Sequence, residues 1–524
     1  MNINIPKINS IFPNYQPNYS AGRVNFKSND SLKADTFEMS VGYVNDIHGQ
    51  TNNMIRILSG IKGDLRLSAG DNDIGNESNA PTHKATAQFL KLADIKASAL
   101  GNHEFDTSQA DLANTIRNLK TQILSVNFHK EKDWETKEDN LPEYNRTDIE
   151  KSLAKSTIVE VNGEKIGLIG ASPIDMFSRT NPIYHTDCYL DDLDKTINEV
   201  QEEVNKLEKQ GVNKIFLLSH LGQNPDKKIA QETNGIDVII GGHTHELVKG
   251  IKEGENLFYS TSGEPVVMTE AGKDGAYFGL LNLTFDKNGV LTKAQNNVAE
   301  TRLFYKNMVN QYIFDEFMGK AEEIGIVKQA PPPSTSLIEE NPHANFMCDA
   351  MKAYTNSEIA IWNNGGIRNF FHEGTVDSRD IKDIAPFADK ICVAMISEKD
   401  IVDDFKDCIK TTYESNGYKP GLMAVSGLNY TVNETTHELV EMNFIDRDGN
   451  EINIDINNPR EDKFYRLVTD EYMMVAGADY KKLTDYENCL EIYPYDKDVM
   501  TCQYIKELNK PIVINQTGRI KYIK

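Results

Sequence analysis

The sequence predicts an α/β fold: a layered domain of buried strands alternating with helices, followed by a second, α+β domain. Three observations predict it. The chain has 524 residues, more than one ordinary hydrophobic core accommodates, so two domains are expected. From Phe37 onward, short β-rich runs alternate with stretches of helical spacing, the pattern of strand–helix units packed on a buried sheet. The run QAPPPSTS, Gln329 to Ser336, breaks that pattern with three consecutive prolines, which stiffen the chain where domains meet.

The elements follow in order. Residues 1–36 are rich in Asn, Pro and Ser and read as a flexible lead-in. No apolar core followed by a small-residue cleavage site is found there, so no secretory signal is read and the sequence taken alone points to the cytoplasm. No later run is long and apolar enough to span a bilayer. FEMSVGYV (Phe37–Val44) and DLRLSAG (Asp64–Gly70) read as strands, KATAQFLKLA (Lys84–Ala93) as a helix, and IKASALG (Ile95–Gly101) as a strand. ADLANTIRNLK (Ala110–Lys120) is helical and QILSVN (Gln122–Asn127) extended. EKIGLIGAS, NKIFLLSH and IDVIIGG are later strands, with the polar helix Leu190–Gly211 before the second of them. Gly275–Leu291 is a hairpin turning at Lys287-Asn288-Gly289. A helical stretch is expected around residues 303–328. Beyond the prolines, ANFMCDAMKAY (Ala344–Tyr354) is an amphipathic helix and EIAIW (Glu358–Trp362) a strand. The expected organisation is a lead-in over 1–36, a first domain over 37–302, a linker helix and Pro-rich hinge over 303–334, and a second domain over 335–524.

Composition narrows the function. Acidic residues outnumber basic ones 79 to 56, for a net charge of -23. That field repels phosphate backbones, so nucleic acid is not the expected partner. A small anionic substrate then needs a local positive centre, which bound metal ions supply. The six cysteines form no C-x-x-C pair, so neither a zinc ribbon nor a redox motif is suggested, and unpaired thiols are expected.

Candidate ligands sit just beyond five of the strands: Asp46 and His48 in VGYVNDIHG, Asp71 in LSAGDND, Asn102, His103 and Asp106 in ASALGNHEFD, His220 in IFLLSHLG, and His243 and His245 in VIIGGHTHE. Ligands of open α/β folds bind outside the carboxyl ends of strands. Each motif alone has an ordinary explanation: a capping Asp, a turn Asn, a satisfied buried His. The ensemble carries the weight, because five of the eleven histidines fall in these loops. The others, His83, His129 and His343 among them, are taken as structural or surface residues.

The ordered set D-x-H, G-D, G-N-H-E, S-H and G-H-x-H resembles the calcineurin-like metallophosphoesterases. GNHEFD, NNGGIR (Asn363–Arg368) and APFADK (Ala385–Lys390) narrow the resemblance to the bacterial UDP-sugar hydrolase/5′-nucleotidase family, over roughly residues 38 to 500. The resemblance implies a β-sandwich flanked by helices and a C-terminal domain that binds substrate and rotates it toward the metals. It implies two divalent ions: Asp46, His48 and His245 on one, Asn102, His220 and His243 on the other, and Asp71 bridging. The mix of imidazole, carboxylate and amide oxygen suits Mn, Zn, Fe or Co. Water made acidic between the cations would attack phosphorus, and His103, oriented by Asp106, would serve the leaving group. In the second domain it implies substrate contacts from Asn363, Arg368 and Asp479.

The match departs from the family there. Asn364 replaces a glycine. Leu422 and Met473 fall where the family stacks the base between two aromatic rings, with Tyr472 as the neighbouring substitute. Glu339 falls where a second arginine is expected. Stacking contributes about 1–3 kcal/mol per base. The expected activity is release of phosphate from nucleoside monophosphates or related small organic phosphates. Alternatives are a 2′,3′-cyclic-nucleotide phosphodiesterase or UDP-sugar pyrophosphatase on the same centre, and a binding protein on a phosphatase scaffold. The family's usual location is periplasmic or extracellular.

Overall fold

The computed structural model describes residues 22–25, 36–75, 79–132, 147–180, 184–185, 187–332, 334, 336–415, 421–476 and 481–524. The first domain is a sandwich of two sheets. One has seven strands, in the order Gly22–Asn25, Leu291–Glu300, Tyr277–Phe285, Phe37–Val44, Leu65–Ser68, Ala97–Ala99 and Gln122–Leu124. Its last four strands are parallel, and the expected hairpin joins antiparallel beside them. The other has six strands, in the order Leu257–Tyr259, Pro265–Thr269, Val238–Ile240, Ile215–Ser219, Glu164–Ala171 and Ser156–Val161. Its middle four are parallel.

The period of two within each strand assigns its faces. Phe216 and Leu218 point between the sheets, onto Val41, Leu67 and Ala97. Their neighbours Ile215 and Leu217 point outward, under Val200 and Val204 of helix Leu193–Glu208 and Ile229 of helix Gln223–Glu232. Helices Thr51–Gly60, Ala80–Leu92 and Met308–Met318 cover the other outer face through Ile55, Phe89 and Phe314. Strands buried on both faces read as apolar runs without alternation, which is why VIIGG and IFLLS are so uniform.

The helix expected over 303–328 spans Met308–Met318 only. Gly319, at φ 74°, ends it. Glu323–Gln329, carrying β-branched Ile324, Ile326 and Val327, is a strand instead. It pairs antiparallel with Gly374–Asp377 and parallel with Ile512–Val513. The helix thus packs in the first domain's core, and the strand belongs to a sheet of the second.

The second domain holds a five-stranded sheet ordered Met423–Ser426, Ile359–Asn363, Phe464–Asp470, Ile391–Ser397 and Glu491–Tyr493. A four-stranded sheet of Glu451–Ile454, Glu438–Ile445, Leu428–Asn433 and Ile520–Ile523 accompanies it. One core containing Trp362, Tyr430 and Tyr465 joins them to helices Pro342–Thr355 and Glu398–Glu414. Among the described residues, no helix is long and apolar enough to cross a membrane.

Candidate active site

The parallel strands of both sheets end at one edge of the sandwich, and their loops interlock there. Asp46 N–H donates to Gly70 O at 3.0 Å, His48 N–H to Asp71 O at 3.0 Å, and Gly49 N–H to Asn72 O at 3.1 Å. The Glu104 carboxylate gathers the N–H groups of Asp71, Asn72 and Gly101 at 3.1, 2.9 and 2.9 Å. Asn45 ties the first loop to the last: its Nδ2 donates to Asp46 Oδ2 and Gly272 O, both at 2.7 Å, and its Oδ1 accepts from Ala271 N–H at 2.8 Å.

Two glycines of the motifs exist for room. A Cβ on Gly101 would lie 2.2 Å from Asp71 Oδ1, and one on Gly242 would lie 2.9 Å from both Asp46 Oδ2 and His220 Nδ1. The backbone itself is unusual. Asp46, His48, Asp71, His243, His245 and Asp274 have φ of 47°, 50°, 49°, 75°, 62° and 57°. The left-handed region costs a non-glycine residue roughly 1–2 kcal/mol, and such strain gathers at functional sites.

This backbone brings the predicted side chains together. His220 Nε2 lies 3.0 Å from Asp71 Oδ2 and 3.6 Å from Asp46 Oδ1. His48 Nε2 lies 3.5 Å from Asp71 Oδ2 and 3.8 Å from Asp46 Oδ1, and His245 Nε2 lies 3.4 Å from Asp46 Oδ1. The approaches of His48 and His220 are close in distance but off the line a hydrogen bond needs. His48 Nε2, His220 Nε2 and Asn102 Oδ1 are buried and meet no hydrogen-bond partner among the described residues. The opposite ring nitrogens are held from behind: His48 Nδ1 by Asp274 Oδ1 at 2.8 Å and His220 Nδ1 by Ala69 O at 2.7 Å. Such outer partners fix the tautomer and aim the free nitrogen inward. His243 is held the other way round, through Nε2 to Asp175 Oδ1 at 3.0 Å, while its N–H donates to Asp46 Oδ2 at 3.1 Å.

Three overlapping donor sets result: Asp46, His48 and His245; Asp46, Asp71 and His220; and His48, Asp71 and His103. Buried imidazoles and carboxylates with orphaned atoms facing one point are the donor set of a divalent metal. The same groups shift one another's protons. Burial resists a charge on His48 and on His220, but Asp274 and Asp71 outweigh it at His48, and Asp71 and Asp46 at His220, taking them up to about 9 and about 10. Burial dominates at His245 and holds it down at about 4. Burial also resists ionisation of Asp46 and Asp71, yet the imidazoles around them keep both far below the usual carboxylate range.

His103 stands beside this cluster, its ring edge-on to His48 with centroids 5.0 Å apart. Its Nδ1 pairs with Asp106 Oδ2 at 2.7 Å, and its N–H donates to Asp71 Oδ1 at 2.8 Å. Asp106 Oδ2 also accepts from Gly75 N–H at 2.9 Å.

From the second domain, Arg368 approaches the loop beyond His48: its neighbour Asn369 donates from Nδ2 to Gln50 Oε1 at 2.9 Å, and its guanidinium lies 5.0 Å from the centroid of the Phe387 ring. Its positive charge is the least of the influences on the protons of His48 and Asp274. Asn363 ends its strand with its side-chain oxygen packed over Gly366. Tyr472 opens the short turn Tyr472–Ala476 and is half-buried against the second domain's core. Asp479 lies outside the described residues. Leu422 and Met473 are core residues, 0% and 1% exposed, and Glu339 is exposed, accepting from Ser334 Oγ at 3.2 Å.

Sequence reasoning passed over Asn45, Glu104, Asp175 and Asp274. Asp175 and Asp274 follow the two remaining parallel strands of the six-stranded sheet, so the rule of strand ends was the available signal.

Comparison with known proteins accords with this geometry. Residues 39–247 match the calcineurin-like phosphoesterase family, and residues 318–485 match the 5′-nucleotidase C-terminal domain. The trifunctional nucleotide phosphoesterase protein YfkN of Bacillus subtilis (strain 168) is 24% identical over 543 residues, covering 94% of this chain, which spans only 35% of that protein's length. A 5′-nucleotidase of Diplobatis ommata is 25% identical over 552 residues, covering 94% of this chain and 91% of its own. The 5′-nucleotidase precursor from Thermus thermophilus shares the fold, with a TM-score of 0.67 at 22% identity over 93% of this chain and 99% of that one. The chain belongs to the calcineurin-like phosphoesterases that carry a 5′-nucleotidase C-terminal domain, a class of metal-dependent phosphoester hydrolases.

Proposed function

We propose that this chain releases phosphate from nucleoside monophosphates or related small organic phosphates at a centre of two divalent ions. Asp46, His48 and His245 would hold one ion, Asn102, His220 and His243 the other, with Asp71 shared. His243 would offer Nδ1, since its Nε2 is committed to Asp175. Mn, Zn, Fe or Co fits this mix of nitrogen and oxygen donors. When bound, the ions acidify water and offset the charge that develops on phosphate oxygens.

The chain's own residues do the rest. His103, held by Asp106 through Nδ1, keeps Nε2 available to give a proton to the departing oxygen. Arg368 presents a planar fork that matches a phosphate edge. Asn363 and Tyr472 would contact the organic group, and the resemblance adds Asp479, which lies outside the described residues. The observation that carries the reading is the set of orphaned buried atoms, His48 Nε2, His220 Nε2 and Asn102 Oδ1, around two shared carboxylates.

The burial of Leu422 and Met473 favours a second reading, in which the organic group is held without a stacked base. Phosphate release with added Mn, Zn, Co or Mg separates the two, using AMP, UDP-glucose, 2′,3′-cyclic AMP, a sugar phosphate and a chromogenic ester. Preference for AMP supports the nucleotidase, and equal turnover of the sugar phosphate supports the second reading. A protein that retains no cation and turns over none of the panel defeats both.

A further inference from the structure

Helix Thr51–Gly60 begins three residues after His48, and its N-cap residue, Gln50, supplies no side-chain cap. A helix start leaves backbone N–H groups without partners. Here the partner comes from the other domain. Asp383 Oδ1 accepts from Thr51 N–H at 3.1 Å and from Thr51 Oγ1 at 3.2 Å, and Asp383 Oδ2 accepts from Asn52 N–H at 3.1 Å. Gln50 Nε2 donates to Asp383 O at 2.7 Å. Aspartate is among the preferred capping residues, and burial pushes its carboxyl up to about 7 here, although the N–H groups of Asn52 and Thr51 favour its ionised form. Asp383 is buried.

The same few residues lead to Arg368. The next residue, Ile384, accepts the Arg368 N–H on its carbonyl at 2.9 Å. Phe387, three further on, lies under the guanidinium. Asn369, beside Arg368, donates from Nδ2 to Gln50 Oε1 at 2.9 Å. Asn79 Nδ2 donates to Pro386 O at 2.8 Å, and Asn52 Nδ2 to Asp380 Oδ1 at 2.6 Å. A chain of contacts therefore runs from Gln50, two residues beyond His48, through Thr51 and Asn52 to Asp383 and Ile384, and returns from Arg368 to Gln50 through Asn369.

We propose that Asp383 is a positioning residue: by capping helix 51–60 across the domain boundary, it registers Arg368 against the metal-ligand cluster. This rests on the phosphoesterase reading for the role of Arg368, but the cap itself does not. Separating the domains would leave Thr51 and Asn52 uncapped and move Arg368 away, so docking, capping and placement of the guanidinium are one event.

The test is a double-mutant cycle on the metal-loaded full chain with a chromogenic phosphate ester, alongside small-angle X-ray scattering of each variant. Loss of a cap shifts an equilibrium by about 2- to 30-fold. Asp383→Ala is expected to lower kcat/KM within that range, mainly through KM, with bound metal unchanged. Asp383→Asn, which keeps one acceptor oxygen, should fall between. In an Arg368→Ala background, adding Asp383→Ala should change kcat/KM by less than about twofold, since nothing is left to position. Scattering should report a more extended Asp383→Ala chain than wild type. An equal loss in both backgrounds would mean that Asp383 supports the fold and not Arg368, and would overturn the proposal. So would an unchanged kcat/KM with an unchanged scattering profile. If the wild-type chain hydrolyses no ester, the phosphoesterase reading fails by itself, and the scattering comparison then decides whether Asp383 holds the domains together.

Discussion

The two domains' contributions to the predicted site were built under different constraints. On the first domain's face, nine predicted side chains lie at strand ends, and distances of 3–4 Å connect those of Asp46, His48, Asp71, His220 and His245. On the second domain's face, Arg368 is tied to the loop beyond His48 through its neighbour Asn369, which donates to Gln50. Leu422 and Met473, at the positions expected to flank a base, have sunk into the core. A metal centre tolerates few donor types and little positional error, so it leaves letters at fixed places. A surface that grips an organic group can be remade by many side chains, and it leaves none.

That contrast can be broken by mutation, beginning with the largest effect. Asp71→Ala removes the carboxylate shared by two of the donor sets. It should strip bound cation, measured by elemental analysis, and lower turnover on the order of 10³-fold or more, beyond the about 10–100-fold typical of losing an outer partner. Full retention of metal would show that the first face is less tightly specified than its geometry implies. His103→Ala should keep the cation and lower kcat by about 10²- to 10⁴-fold. Turnover near wild type would remove His103 from the chemistry. Asp274→Asn weakens the hold on His48 Nδ1 and should cost about 10–100-fold in metal affinity, read by competition with a chelating dye. An unaltered affinity would mean that the left-handed backbone aims the ring without help.

The smallest effect on activity is expected at a residue outside the predicted site. Asp404 is buried on helix 398–414 with Oδ1 unpartnered among the described residues. Burial, with Asp407 nearby, pushes its carboxyl up to about 7. The folded chain therefore holds a proton there that the unfolded chain releases above about pH 4. Stability from this group is complete at low pH and is lost as pH rises through about 7. Asp404→Asn should leave turnover unchanged, raise stability at pH 8 on the order of 1–3 kcal/mol, and change little at pH 4. Denaturant midpoints at the two pH values check this, and equal shifts at both would refute the assigned cause.

Much of the first domain was legible because its signals are local and redundant. Apolar runs such as VIIGG mark doubly buried strands, and the motif glycines mark places where Asp71 and Asp46 press against backbone. Asp175 and Asp274 were missed because a single loop carboxylate carries no pattern, although they hold the predicted histidines His243 and His48. The strand Glu323–Gln329 was missed because its partners lie some 50 and 185 residues further along the chain, beyond any local period. Asp383 was invisible for the same reason: its meaning lies in a helix start more than 300 residues earlier.

The left-handed turns at Asp46, His48, Asp71, His243 and His245 bear on any attempt to transplant this centre. Aspartate and histidine tolerate that conformation better than most residues, so on the proposed assignment the donor alphabet is filtered twice, once by the cation and once by the main chain. Copying the letters onto the strand ends of another scaffold would reproduce the composition without the aim. The peptide geometry beneath them is the part that has to be carried over.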